Sequence, residues 1–463
     1  MSRKLKGAAA VLLGVQICFA GNVLAAPEQA APGTAGAVKA IERTAGTEDK
    51  TIVNTDAATR VNKEPSEGVS RFDDKYEMHK VRLTWNPVPG AVRYQLVILR
   101  DANDTPENIV SVKSYIFTTG YELDTSMMRT EKNGYYWKVC ALNIDGKPVG
   151  KFSVPQPLKN GEINTLAPLP TTQYNSMPYA PLYPVYSWIP YSKAAGYDIE
   201  VYRRSVTSGK ADALIAKLHG RDSNYYDEGG YTYPGTYWWH VRAVDGSGRP
   251  ISEWSRPREF QVTSPVKVAA FGDSVTHGGG AVCTPPSYLL YDWETYSAVP
   301  IKNLGYSGNT VEAMIERFER DVLPFKPKIL VIMGGVNNYR SGDTAWSIIH
   351  SLAVLRDKCK AHGIVPVFST VTPINPDCMK KVGTVGLPVE NWLYEQQRLN
   401  EWIRQQPYAV DVTPKLTDSR GWLRADYTTD GLHPDYDGKR IIGQTVSSYL
   451  LQRFPNDNLL EKP

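Results

Sequence analysis

Cysteine is scarce in this chain: five residues in 463, one of which, Cys18, sits in an N-terminal apolar run. The remaining Cys140, Cys283, Cys359 and Cys378 are too few for a disulfide framework at this length, so packed cores must hold the fold together. If one bridge forms, Cys283–Cys378 is the expected pair, with both residues in loops at one edge of the C-terminal sheet. Long apolar runs are missing after residue 20, which excludes a spanning helix beyond the N-terminus. His, Cys, Asp and Glu nowhere cluster at metal-ligand spacing, so neither a metal nor a cofactor is expected. An excess of one charge is lacking too. The formal net charge is +4, from 52 basic and 48 acidic residues, which argues against nucleic acid as a partner. Gly-x-Ser-x-Gly does not occur, which excludes the common α/β-hydrolase nucleophile elbow.

What is present begins with an export signal. Arg3, Lys4 and Lys6 precede an apolar stretch from Ala8 to Ala20, and Val23-Leu24-Ala25 places small residues before a cleavage point. Residues 1–25 are read as a signal peptide, which implies a periplasmic or extracellular protein. Its removal takes three positive charges and leaves the chain at about +1. Residues 26–74 hold Ala, Thr, Gly, Glu and Lys without a periodic apolar face, as expected of a flexible linker.

An internal repeat follows. "LTWNPVPGAVRYQLVI" (83–98) is similar to "YSWIPYSKAAGYDIEV" (186–201), with Trp85 on Trp188 and Tyr94 on Tyr197 at an offset of 103. "YWKVCALNIDG" (136–146) is similar to "WWHVRAVDGSG" (238–248) at an offset of 102. A period near 100 residues is a domain duplication. Alternating apolar residues between Pro, Gly, Asn and Asp turns read as antiparallel strands. The Trp before a turn, the Tyr on the next strand and the aromatic-x-Val-x-Ala strand resemble fibronectin type III β-sandwiches, over 75–158 and 170–263. Trp239 and Val241 share one strand face and His240 and Arg242 the other, so the repeat's aromatics are mostly core.

From residue 266 the pattern changes to alternating short buried-type strands (266–271, 300–304, 329–333, 365–370, 408–412) and helices (310–323, 344–361, 389–406, 435–452). That alternation implies a parallel sheet covered on both faces. In such sheets the site lies beyond the carboxyl ends of the strands. Four polar segments occupy those positions: Gly272-Asp273-Ser274, "NLGYSGNT" (303–310), "GGVNNYR" (334–340) and "DGLHPD" (430–435).

Together these permit acyl transfer. Ser274 at a strand tip is a nucleophile or a helix N-cap. As a nucleophile it needs a base, His433, and the base needs an orienting carboxylate, Asp430. The oxyanion needs donors: the backbone N–H groups of Ser274 and Gly308 and the side-chain amide of Asn337. The four segments, in this order, resemble the SGNH, or GDSL, hydrolase superfamily. The resemblance implies a flavodoxin-like α/β domain over 265–455, with Ser274, Asp430 and His433 as a triad and Gly308 and Asn337 in an oxyanion hole. Asn338 departs from it, since the family often has Asp there.

Candidate substrate contacts are His277, one turn after Ser274, which is structural or meets substrate; Tyr288 and Trp293 in the aromatic passage 278–300, which packs as a small satellite core or walls the pocket; and Arg340 just past Asn337, facing a substrate anion or a surface salt bridge. The reading is an exported carboxylic-ester hydrolase acting on a small or polymeric ester, such as an acetylated polysaccharide at the cell envelope. The alternatives are a lipid or lysophospholipid esterase, and a catalytically silent glycan-binding protein. A fragment starting near Ser264 is expected to fold alone and to hydrolyse small esters at the full rate.

Overall fold

The computed structural model of the chain describes residues 80–461, apart from 126–127, 129–133, 159–165, 173, 175–176, 281–288 and 384. The expected signal peptide and linker, Tyr288, and the Cys283 half of the expected bridge lie outside the described residues. Among the described residues no helix is long and apolar enough to cross a membrane.

The first half is antiparallel. Strands β1 (Lys80–Thr84), β2 (Arg93–Leu99), β3 (Ile109–Ile116), β4 (Gly120–Asp124), β5 (Tyr136–Leu142), β6 (Pro148–Val149) and β7 (Gln156–Pro157) form two sheets: β1-β4, and β3-β2-β5-β6 with β7 on β5. Strands β8 (Leu169–Pro170), β9 (Val185–Ile189), β10 (Gly196–Arg203), β11 (Ala213–Gly220), β12 (Asn224–Tyr226), β13 (Gly235–Val244) and β14 (Arg258–Val262) form sheets β12-β9-β8 and β11-β10-β13-β14. Each pair of sheets is consistent with a β-sandwich.

The repeat is visible in equivalent contacts. Trp85 packs on Tyr94 with ring centroids 5.4 Å apart, and Trp188 on Tyr197 at 4.9 Å. The Tyr94 hydroxyl accepts from the Val88 N–H at 3.1 Å, and the Tyr197 hydroxyl from the Tyr191 N–H at 2.8 Å. Ser153 accepts from the Val139 N–H just as Ser255 accepts from the Val241 N–H. Trp239 and Val241 are core, while His240 and Arg242 lie on the opposite strand face against Glu200 and Asp198, His240 buried there.

The C-terminal half is a five-stranded parallel sheet, ordered β16-β15-β17-β18-β19, from β15 (Val268–Gly272), β16 (Ile301–Asn303), β17 (Ile329–Met333), β18 (Val365–Ser369) and β19 (Ala409–Val410). Helices α1 (Ser274–His277), α2 (Val311–Asp321), α3 (Val336–Ser341), α4 (Ala345–Ala361), α5 (Pro376–Val382), α6 (Trp392–Arg404) and α7 (Tyr436–Arg453) connect and cover it. Strands β15 and β17 are buried along their whole length, as strands covered on both faces must be.

The β16 edge is not left open. The segment before β9 runs over it: the Leu182 N–H donates to the Asn303 carbonyl at 2.9 Å, and the buried Lys302 ammonium donates to the Ala180 carbonyl at 2.6 Å. Capping an edge strand in this way satisfies backbone groups that would otherwise face water or another chain. One hydrophobic core runs continuously from Tyr183, Trp188 and Trp239 into Phe271, Met314 and Phe318. The first sandwich also touches the C-terminal half, through Val92 on the Tyr291–Tyr436 pair and through an Asp145–Lys381 ion pair at 2.8 Å. The edge strand and part of the core of the C-terminal half are thus completed by the second sandwich.

Candidate active site

Strand β15 ends at Gly272, and the chain turns at once into the single-turn helix α1. Asp273, not Ser274, caps that helix: its Oδ1 accepts from the Val275 N–H at 2.9 Å. The cap role that competes for Ser274 is thus taken by its neighbour, and the Ser274 hydroxyl is free for another partner. That partner is His433, whose Nε2 lies 2.8 Å from Ser274 Oγ. His433 Nδ1 lies 2.7 Å from Asp430 Oδ2.

Asp430 is built to stay ionised. It is buried, 3% exposed, and its Oδ1 accepts from the Leu432 and His433 N–H groups, each at 2.8 Å. Burial pushes the carboxyl up, but His433 and these hydrogen bonds outweigh it and hold it below the usual carboxylate range. An ionised Asp430 can only accept, so Nδ1 of a neutral His433 carries the proton. Nε2 is then the acceptor for the Ser274 O–H. Gly279 lets this arrangement close up, since a Cβ there would stand 3.0 Å from the His433 ring.

The expected oxyanion donors converge on the same strand ends. Gly308 sits in a turn closed by the Asn309 N–H on the Tyr306 carbonyl at 3.3 Å. Its φ of +82° is one that favours glycine, and a Cβ there would meet nothing within 4 Å. Asn337, in the first turn of α3, donates one amide N–H to the Asn309 carbonyl at 3.0 Å. Its Oδ1 accepts from Arg340 Nε at 3.3 Å. With the carbonyl end so held, the amide's second N–H remains as a donor. Among the described residues, no group of three or more His, Cys, Asp or Glu side chains could hold a metal ion.

The substrate-contact expectations fare differently. His277 does not face a substrate. It is 1% exposed, with Nε2 at 2.8 Å from the Tyr183 carbonyl and Nδ1 at 2.9 Å from Ser307 Oγ. Burial lowers its pKa to about 4, so it is neutral at pH 7. Trp293 is fully buried in the core beside α7, because residues 289–296 fold back against that helix instead of walling a pocket. Arg340 is half-buried and spends its guanidinium on Asn337 and on the Gly386 carbonyl at 3.2 Å. Cys378 lies in α5, not a loop, and Cys359 is buried near the end of α4.

One residue was not singled out from the sequence. Arg317 of α2 looks like any helix-surface arginine there, yet it is 4% exposed beneath the site. It donates to the carbonyls of Gly272 and Leu304, both at 2.8 Å, and to Asn309 Oδ1 at 2.5 Å. Its guanidinium also lies 4.1 Å from the Phe271 ring centroid.

Residues 270–441 match the GDSL-like Lipase/Acylhydrolase family. No curated protein is similar enough to the chain to count as a match. Solved structures similar to it include a GDSL-like lipase from Bacteroides thetaiotaomicron VPI-5482, at 20% identity and a TM-score of 0.34, covering 42% of this chain and 93% of that one. A lipase/acylhydrolase from Enterococcus faecalis has 18% identity and a TM-score of 0.29, covering 41% and 96%. A mutant of an acetyl-xylooligosaccharide esterase from Geobacillus Stearmophilus has 20% identity and a TM-score of 0.29, covering 41% and 94%. With Gly-Asp-Ser at the end of β15 and the Asp430–His433 pair against it, residues 270–441 form a GDSL-like lipase/acylhydrolase domain.

Proposed function

We propose that the chain is an exported serine esterase that works through an acyl-enzyme. The observation that carries this reading is the unbroken hydrogen-bond chain Asp430–His433–Ser274. In the first half-reaction Ser274 Oγ attacks the ester carbonyl and its proton passes to His433 Nε2. The oxyanion is met by the N–H groups of Ser274 and Gly308 and by the Asn337 amide. His433 then gives the proton to the departing alcohol oxygen. In the second half, water loses a proton to His433, attacks the acyl carbon and releases the acid, with Ser274 regaining its proton.

The expected export signal and the two sandwiches support a carbohydrate-linked ester, such as an acetyl group on a cell-envelope or extracellular polysaccharide. That step rests on domain organisation, not on site chemistry. An ester panel tests it, running from acetate to long acyl chains and including acetylated glycans. Preferential turnover of acetylated glycan supports the reading, and a preference for long acyl chains replaces it with a lipid esterase. No turnover of any ester removes the enzyme reading and leaves a glycan-binding protein.

A further inference from the structure

The second sandwich reaches the proposed oxyanion donors through two chains of hydrogen bonds, and both begin at Tyr183. Its hydroxyl donates to Asp321 Oδ2 at 2.6 Å. Asp321 is 1% exposed and also accepts from Arg317 Nη1 at 3.1 Å and from Arg320 Nε at 2.8 Å. Arg317, so anchored, holds the Gly272 and Leu304 carbonyls and the Asn309 side chain. Those three contacts lie two residues before Ser274, four before Gly308, and on the residue whose carbonyl fixes the Asn337 amide. The second chain starts at the Tyr183 carbonyl, which accepts from His277 Nε2. A carbonyl only accepts, so Nε2 carries the proton and Nδ1 accepts from the hydroxyl of Ser307, the residue before Gly308. The Tyr183 ring meets Tyr306 edge-on at 4.9 Å, and the Tyr306 hydroxyl donates to Glu228 of the same sandwich at 2.7 Å.

A single guanidinium thus ties the Ser274 and Gly308 segments together and reaches Asn337 through Asn309, and a tyrosine from another domain orients it. A helix arginine tethered only to its own domain would not need a buried carboxylate shared with that tyrosine. We propose that Tyr183, Asp321 and Arg317 are positioning residues for the oxyanion donors, which makes the second sandwich a working part of the esterase. The inference rests on the assignment of Asn337 as an oxyanion donor.

Four full-length proteins test it: the unaltered chain, Tyr183→Phe, Asn337→Ala and the double variant, each assayed on p-nitrophenyl acetate. Tyr183→Phe keeps the ring and the carbonyl and removes only the hydroxyl. It is expected to lower kcat roughly tenfold with KM within about twofold, because a small misplacement of a catalytic donor falls on the transition state. In the Asn337→Ala background the same change is expected to cost less than in the unaltered chain, since one of the three donors it positions is already gone. Arg317→Lys keeps the charge but cannot span the same acceptors, and is expected to show the same coupling. An unchanged kcat in Tyr183→Phe overturns the relay, and an equal loss in both backgrounds overturns its branch through Asn309 to Asn337. An unchanged kcat in Asn337→Ala overturns the oxyanion assignment beneath it as well.

Discussion

At Asn338 the family's usual Asp is missing, and the surroundings say why. The side chain is 1% exposed, its Nδ2 donates to Glu312 and Asp343 at 2.8 Å each, and its Oδ1 accepts from the Val311 N–H at 2.9 Å. A carboxylate there would face two others with no donor of its own. Asn338→Asp is expected to destabilise the fold by about 2 kcal/mol or more at neutral pH, with a penalty that shrinks as the cluster protonates in acid; thermal melts at pH 5 and 8 check this. Asn337→Ala is expected to lower kcat about a hundredfold with KM nearly unchanged. A rise in KM alone would make Asn337 a substrate-binding residue. Asp435 carries a second pH effect. Burial lifts its carboxyl to about 7, although the Thr429 hydroxyl donates to it. An unfolded Asp titrates near 4. Between about pH 4 and 7 the folded state therefore holds a proton that the unfolded state has lost, and this contribution to stability disappears as pH rises through the window. Asp435→Asn is expected to remove that slope, and parallel urea-midpoint profiles for the two proteins would contradict it. Ser274, Asp430 and His433 were legible as residues because each falls in a short motif at a strand end. For His277 and Trp293 a structural and a substrate-facing role both stayed open, since spacing along one chain cannot say which neighbour covers a side chain.

Helix α5 shows what an element adds. Asn375 Oδ1 caps it through the Cys378 N–H at 3.1 Å, Asn375 Nδ2 donates to the buried Leu423 carbonyl at 2.7 Å, and the Asn375 N–H donates to the Gly431 carbonyl at 2.7 Å. One residue thus caps a helix and braces the loop that carries Asp430 and His433. Asn375→Ala is expected to cost about 1–3 kcal/mol, from a lost cap and an unsatisfied buried carbonyl, with a larger loss of kcat than of substrate affinity; urea unfolding and steady-state kinetics measure the two. Sequence reading missed this helix because Asn375-Pro376 is a turn signal and seven residues give too few turns for an apolar period. The longer α2, α4, α6 and α7 were legible within a few residues, as were the five parallel strands, because their periods run over enough chain. The aromatic passage after α1 was legible as unusual, but core and pocket wall could not be told apart, since its packing partner α7 lies about 150 residues away.

For the whole molecule, duplication and domain order could be read from the chain, but docking could not. Nothing in the pattern of 179–183 or 301–303 announces that one covers the other. A fragment starting near Ser264 would lose the partners of Asn303, Lys302, His277 and Asp321 together. It is expected to be soluble only with difficulty and to hydrolyse p-nitrophenyl acetate at least tenfold more slowly than the full chain, for the reason that Tyr183→Phe does. A fragment starting near residue 166, which keeps the second sandwich, is expected to recover most of that rate. Equal rates for the Ser264 fragment and the full chain would contradict the integrated arrangement.

The central claim is that Ser274 carries the acyl group, and acid-quenched labelling tests it most directly. The full-length protein is mixed with p-nitrophenyl acetate, stopped within the first turnovers, digested and mapped by mass. The account predicts an acetyl group on the peptide containing Ser274, a matching burst of p-nitrophenol, and the loss of both in Ser274→Ala, with turnover at least about a thousandfold lower. Acetyl on another residue, or turnover that survives in Ser274→Ala, would contradict it.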